Sequence, residues 1–268
     1  NPVPIYIRER RELLLLFCSN YGSSGEREIR YGKVKPAAGR RVWISRSSTM
    51  GRNWSTPEEL TAQVKQAGWT WYAVGPGGAI RLRNSTLLVP ATHASKPRRR
   101  EVHGKYDHSH VLFSHDLGGT WRVGGVAATG TNEATLAELP NGGVLLNARN
   151  LVKPGGQRVL QVSSDGGGSW GASWNALREP RNPFFMPSGC HGSMVSTRRG
   201  RLFYSGPDTN STRRVNVSLS SSNDGGRSWS LISRVHTGPS AYSSICRLPT
   251  GPRGADSDAR AGERSVQL

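Results

Sequence analysis

The chain is poor in cysteine, with Cys18, Cys190 and Cys246 spread over 268 residues. An odd number of thiols with no C-x-x-C spacing indicates neither a disulfide framework nor a zinc site, so buried free thiols are expected. No other metal or cofactor motif is present. Long apolar runs are absent too: Leu13 to Phe17 is of strand length, so no transmembrane helix is written here. Lysine is scarce, six against thirty arginines, although the net charge is +18. A basic balance of that size invites a nucleic-acid reading. The arginines are scattered, however, and only Lys96 with Arg98, Arg99 and Arg100 forms a compact run, which fits a solvated loop, so a nucleic-acid partner is not expected. Helical periodicity is missing throughout. The first residue is Asn1 rather than Met and no signal peptide precedes it, which fits an internal piece or a processed form. Secreted, lysosomal and cytoplasmic settings are equally compatible. N-x-S/T sequons at Asn53, Asn84, Asn210 and Asn216 would permit glycosylation if the chain were secreted, with chance occurrence the favoured reading.

What the chain has in abundance is one short stretch written four times. Ser163-Ser164-Asp165-Gly166-Gly167-Gly168-Ser169-Trp170 recurs as Ser114 to Trp121 and as Ser222 to Trp229, giving S-x-D-x-G-x-x-W three times. A fourth copy, Ser47 to Trp54, has Thr49 in place of the acid. A tight hairpin needs residues that tolerate positive φ, an acceptor for turn amides and an apolar anchor; Gly, Asp and Trp supply them. The copies start at 47, 114, 163 and 222, a spacing close to one four-stranded propeller blade.

Between the boxes, short β-branched, Leu-rich or aromatic runs alternate with Gly/Pro/Asn/Ser turns, the pattern of an all-β meander. Ile80 to Arg83 and Thr86 to Pro90 flank Asn84-Ser85 as a hairpin; Ala134 to Leu139 and Val144 to Ala148 flank Pro140 to Gly143; His191 to Thr197 and Arg201 to Ser205 flank Arg198 to Gly200. One β-propeller domain over 1–250 is expected. From 251 to 268 the chain turns polar and Gly-rich, with Val266 and Leu268 its sizeable apolar residues, and disorder is expected.

Five further segments, in order, carry a family resemblance: Trp69-Thr70-Trp71-Tyr72-Ala73-Val74-Gly75-Pro76-Gly77, Thr131-Asn132-Glu133, Leu145-Leu146-Asn147-Ala148-Arg149-Asn150, Cys190-His191-Gly192-Ser193 and Gly238-Pro239-Ser240-Ala241-Tyr242-Ser243-Ser244. With the boxes they resemble the exo-α-sialidases (neuraminidases). The resemblance implies a six-bladed β-propeller, incomplete in this chain, whose Asp boxes (Asp116, Asp165, Asp224) are structural and lie away from the site. It implies a glycosidase without metal or cofactor that acts on sialylated glycans. Arg149 and Arg214 look like two members of the arginine triad that grips the sialic acid carboxylate, for which planar, always-charged guanidinium groups are suited. Tyr242 resembles the nucleophile and Glu133 its base. A reacting carbon beside a carboxylate repels an anionic nucleophile, which a neutral phenol avoids. Tyr72 and Trp71 are expected to line the substrate pocket or to pack between blades. His191, which stands where many relatives have Gln, is also expected in the substrate pocket, and Gly78 stands where His often follows Gly-Pro-Gly.

Two of the family's parts are absent: the Arg-Ile-Pro segment with the first triad arginine, and the general-acid Asp that follows it. Relatives also continue past Tyr-Ser-Ser with strands that close the ring. A missing bidentate contact costs about 1.5 to 3 kcal/mol, and a missing general acid about 10² to 10⁴ in rate. Weak or no sialidase activity is therefore expected of these 268 residues alone. The competing reading is a non-catalytic Asp-box propeller that binds sialoglycans or proteins; retention of Tyr242 with Glu133 argues for the enzyme.

Overall fold

The computed structural model describes residues 1–96, 104–152, 157–175, 177–178, 190–209, 213–248 and 266–267. Four antiparallel sheets follow one another along the chain. The first holds β1 (Val3–Ile7), β2 (Glu12–Ser19), β3 (Arg41–Ser47) and β4 (Glu58–Glu59) in that order. The second runs β5 (Trp69–Val74), β7 (Leu87–Ser95), β8 (Asp107–Ser114), β9 (Arg122–Thr129), with β6 (Ile80–Arg81) also paired to β7. The third is β10 (Thr131–Glu138), β11 (Val144–Asn150), β12 (Val159–Ser163) and β13 (Trp174–Asn175). In the fourth, β15 (Ser193–Ser196), β16 (Leu202–Pro207), β17 (Val217–Ser222) and β18 (Ser228–Arg234) are joined by the short parallel strand β14 (Leu177–Arg178) beside β18. Two one-turn helices, α1 (Glu26–Arg30) and α2 (Thr61–Val64), are additions that the strand-only reading lacked.

Alternation within the strands explains how the sheets stack. In β1, Val3, Ile5 and Ile7 are buried while Pro4 and Tyr6 are exposed, the period-2 pattern of a strand with one face on a core. The third sheet buries both faces. Ala134, Leu136, Val144, Leu146 and Ala148 meet Leu82, Leu88 and Val111 of the second sheet. Residues of opposite parity, Ala137 and Leu145, join Leu160, Met194, Leu202, Tyr204 and Trp229 toward the fourth. Successive sheets thus pack face to face, as in a propeller. The three predicted hairpins form as read, with Ser85, Gly142 and Gly200 at positive φ in their turns.

Every box joins the third and fourth strands of its sheet. In the cleanest copy, Asp165 Oδ1 accepts from Ser169 N (2.9 Å) and Ser163 Oγ (2.6 Å), and Oδ2 accepts from Ser169 Oγ (2.7 Å). Ser163 Oγ in turn accepts from Gly167 N at 2.7 Å. Asp116 and Asp224 make the same contacts. These donors hold the carboxyls below the usual range: the Thr120 amide foremost for Asp116, the Ser163 hydroxyl for Asp165. Thr49 has a single oxygen, which accepts from Asn53 N at 2.8 Å. Replacing Asp165 by Ala is expected to cost about 1 kcal/mol, the size of a lost cap, read as a lower urea midpoint with unchanged slope.

The box tryptophans anchor each sheet on its predecessor. Trp121 sits in the core between sheets one and two, and Trp229 in that between three and four. Trp170 donates Nε1–H to Gly125 O of β9 at 2.8 Å. Gly125 is required there, since a Cβ would lie 2.9 Å from Gly168 O and from the Trp170 ring. Trp54 of the first box is 40% exposed, because no described sheet precedes its own. The Arg98–Arg100 run, the Asn210 sequon and most of the expected disordered tail lie outside the described residues. Within that tail, Val266–Gln267 pair as β20 with β19 (Cys246–Arg247), a short ladder at the apolar residue the composition had singled out.

Candidate active site

The centre of the site is a fault in a ladder. Thr131 pairs with Asn150 and Ala134 with Ala148, so Asn132 and Glu133 together oppose Arg149. Such a bulge re-aims side chains. Asn132 turns inward, donating to Thr92 Oγ1 and Asp107 Oδ1, both at 3.3 Å. Glu133 turns to Arg149, whose Nη1 donates to its Oε2 at 3.0 Å. The other carboxylate oxygen, Oε1, accepts the hydroxyl of Tyr242.

Tyr242 arrives on a loop pinned to the start of β17. Val215 bridges Pro239, Ser240 N donates to Arg214 O at 2.9 Å, and Ser240 Oγ accepts from Val217 N at 3.0 Å. Ser243 Oγ meets Ser205 Oγ at 2.8 Å. The loop sets Tyr242 at 45% exposure, with the Arg214 guanidinium 5.8 Å from its ring centre and the buried His191 ring 5.6 Å away. Five predicted residues, Glu133, Arg149, Arg214, Tyr242 and His191, therefore converge where the third and fourth sheets meet.

Partial burial first, and then the hydrogen bond and charge of Glu133, push the Tyr242 phenol up from its ordinary value. The phenol is thus protonated at neutral pH and donates its hydrogen bond to the Glu133 carboxylate. Burial, aided by the positive charges of Arg158 and Arg149, lowers His191 to about 3. His191 is neutral in the fold and its Nδ1 has no partner among the described residues. Arg149 keeps donors beyond the one given to Glu133, its Nε having no partner among the described residues. Burial raises the Cys190 thiol, which is not poised as a nucleophile.

The aromatic pair divides differently from expectation. Tyr72 is 0% exposed, its hydroxyl 2.9 Å from His110 Nε2, and belongs to the core between sheets one and two. It is enclosed by packing rather than lining an open pocket, and of the two readings the structure gives the packed aromatic. Trp71 lies under the guanidinium groups of Arg40 (4.5 Å) and Arg30 (5.4 Å), with no described contact to Glu133 or Tyr242. A groove of about 700 Å³ lined by Arg81, Arg83, Glu138, Met194, Arg198 and Arg247 also includes none of the five.

Sequence reasoning missed Arg158, which is fully buried beneath the site. Its signal was parity: it precedes β12 in phase with the buried Leu160, a charge on an apolar face. A histidine cluster was missed as well. His93 and His110 are buried with their Nδ1 atoms 3.0 Å apart, and Trp69 stacks on His93 at 3.6 Å. Burial lowers His93 to about 3 and His110 well below its ordinary value. Both are neutral in the fold, as is His191, whereas the unfolded chain binds protons on all three below about pH 6.5. Stability is therefore expected to fall as pH drops from about 6.5 toward 3, by on the order of 1 kcal/mol per buried histidine per pH unit. Urea midpoints at pH 7, 6 and 5 check this.

Residues 1–253 match the family model described as BNR repeat-like domain. The chain is 30% identical over 194 residues to a sialidase of Bacteroides fragilis, covering 70% of this chain and 33% of that protein. It is 32% identical over 206 residues to Sialidase-2 of Rattus norvegicus, with 73% and 51% covered. The solved Hadza microbial sialidase Hz136 superposes with a TM-score of 0.72 at 26% identity, over 91% of this chain and 47% of that one. Trypanosoma rangeli sialidase, solved in complex with sialic acid, shares the fold with a TM-score of 0.68 at 19% identity, over 92% and 40%. The chain spans a third to a half of the length of these relatives. A family match along almost the whole chain, sialidase relatives from bacterium and mammal, and box-closed sheets stacked in series place the chain in the sialidase family of BNR-repeat proteins.

Proposed function

We propose that the chain carries the nucleophile and carboxylate-binding half of an exo-α-sialidase that releases terminal α-linked sialic acid from glycoproteins, oligosaccharides or gangliosides with retention at the anomeric carbon. One observation carries the reading: the Tyr242 hydroxyl is hydrogen-bonded to Glu133, a residue 109 positions away in the chain. A binding module has no need of a raised phenol seated on a carboxylate.

In this reading Arg149 and Arg214 hold the sugar carboxylate through guanidinium donors. Tyr242 Oη attacks the anomeric carbon while its proton passes to Glu133 Oε1, and the bond to the aglycone oxygen breaks as that oxygen takes a proton from solvent water. Water then attacks the same carbon and gives up a proton to solvent, the tyrosyl C–O bond breaks, and Glu133 returns its proton to the phenolate. Two inversions give net retention. The raised phenol explains the need for Glu133: at neutral pH the free phenolate is negligible, so the proton must leave during attack.

Among the described residues, no hydrogen bond or ion pair brings a second carboxylate to Tyr242. Aryl sialosides, whose leaving group needs little protonation, are therefore expected to react about 10² to 10⁴ faster with these 268 residues than alkyl sialosides. Proton NMR of the first product tests the reading: α-sialic acid appearing before mutarotation supports retention, and β-anomer first, or no release from any sialoside by the protein carrying this chain, refutes it.

A further inference from the structure

Arg158 is 0% exposed, the one buried arginine or lysine among the described residues. A buried cation costs several kcal/mol unless its donors are met, and an apolar side chain of like volume often serves stability as well or better. Its described partners are neutral oxygens. Nη1 donates to Cys190 O at 2.7 Å, Nη2 to Asn147 O at 3.0 Å and Glu133 O at 3.3 Å, and Nε to Asn147 Oδ1. The guanidinium lies 5.6 Å from the Tyr204 ring centre, which packs it from the side.

These acceptors come from separate segments, and each adjoins the site. Glu133 is the base itself. Asn147 lies two residues before Arg149 on the same strand, and Cys190 directly precedes His191. The bulge also takes Asn132 and Glu133 out of the regular β10–β11 pairing, which leaves a backbone group in want of a partner. Arg158 Nη2 supplies one to the Glu133 carbonyl. A planar fork of five donors spans such a set of acceptors; an ammonium on a flexible stem does not.

We infer that Arg158 is a positioning residue of the active site: a buried guanidinium that fixes the bulge at Glu133 and the Cys190–His191 backbone, so that the carboxylate meets the Tyr242 hydroxyl. This rests on the reading of Tyr242 and Glu133 as nucleophile and base. Its charge also contributes to keeping His191 neutral. A misplacement of about 1 Å in such a pair costs roughly 100-fold in rate.

The test uses Arg158→Lys, which keeps the charge, and Arg158→Met, which keeps the volume, in the protein carrying this chain. Folding is checked by circular dichroism and urea midpoint. For whichever variant folds, kcat on an aryl sialoside is expected to fall about 100-fold while KM stays within about threefold, because Arg149 and Arg214 are untouched. The downfield hydroxyl proton of Tyr242, assigned by its loss in Tyr242→Phe, is expected to shift upfield or vanish. A folded variant with kcat retained, with the loss confined to KM, or with the hydroxyl resonance unmoved overturns the inference. If the wild-type protein hydrolyses no sialoside, the functional reading fails separately, and the resonance alone decides whether Arg158 positions Glu133.

Discussion

Replacing Tyr242 by Phe is expected to lower kcat on an aryl sialoside by about 10³-fold or more, and to leave the affinity for a 2,3-unsaturated sialic acid within about threefold. The substitution removes one oxygen and keeps the ring, so the packing of His191 and the stacking of Arg214 against it survive. The carboxylate binding proposed for Arg149 and Arg214 does not involve the hydroxyl. Loss of turnover with retained binding therefore separates a nucleophile from a packed aromatic, and unchanged hydrolysis refutes the assignment. Isothermal titration and initial rates on the same preparations supply both numbers.

Glu133→Gln is the second large effect. The amide oxygen can still accept from Tyr242, but it cannot take the proton, so kcat is expected to fall by about 10² to 10⁴. The sign of the pH dependence follows from the charge. Glu133 raises Tyr242 through its hydrogen bond and its charge, and removing that charge lets the phenol ionise at lower pH than in the wild type. Residual activity of Glu133→Gln is therefore expected to climb with rising pH as phenolate forms without a base. A flat profile, or a rate within a few fold of wild type at pH 7, contradicts the role given to Glu133. The same substitution removes the ion pair with Arg149; a modest rise in KM is expected as that side chain reorients.

The parts of this molecule that depend on adjacent residues were legible in the sequence. A box needs a Ser, an acid, glycines and a Trp within eight positions, and Asp116, Asp165 and Asp224 close their turns with the bonds that spacing implies. Hairpins were legible for the same reason, since turn chemistry sits between two runs of alternating residues. The meeting of Glu133 with Tyr242 was legible only through a family resemblance, because nothing local relates residues 109 apart.

What stayed hidden depends on which face a residue shows and on what lies opposite. Tyr72 reads as an aromatic near a Gly-Pro-Gly turn, yet strand parity sends it into the core against His110. Arg158 reads as one of thirty arginines, and only its phase with Leu160 marks it as inward. The bulge at Asn132–Glu133 is invisible as composition, since one extra residue in β10 changes register and not character. Trp54 and Trp121 occupy equivalent box positions, yet one is exposed and the other buried, because burial is decided by the neighbouring sheet.

The account stands on a bond that Tyr242 should form. Incubation of the protein carrying this chain with 2,3-difluorosialic acid is expected to break the C2–F bond, release fluoride, and leave the sugar on the nucleophile, with the 3-fluoro group slowing its hydrolysis. Peptide mapping by mass spectrometry is expected to find one sialosyl adduct, on the peptide containing Tyr242, and none in Tyr242→Phe. An adduct on any other residue, or one that persists in Tyr242→Phe, contradicts the central claim.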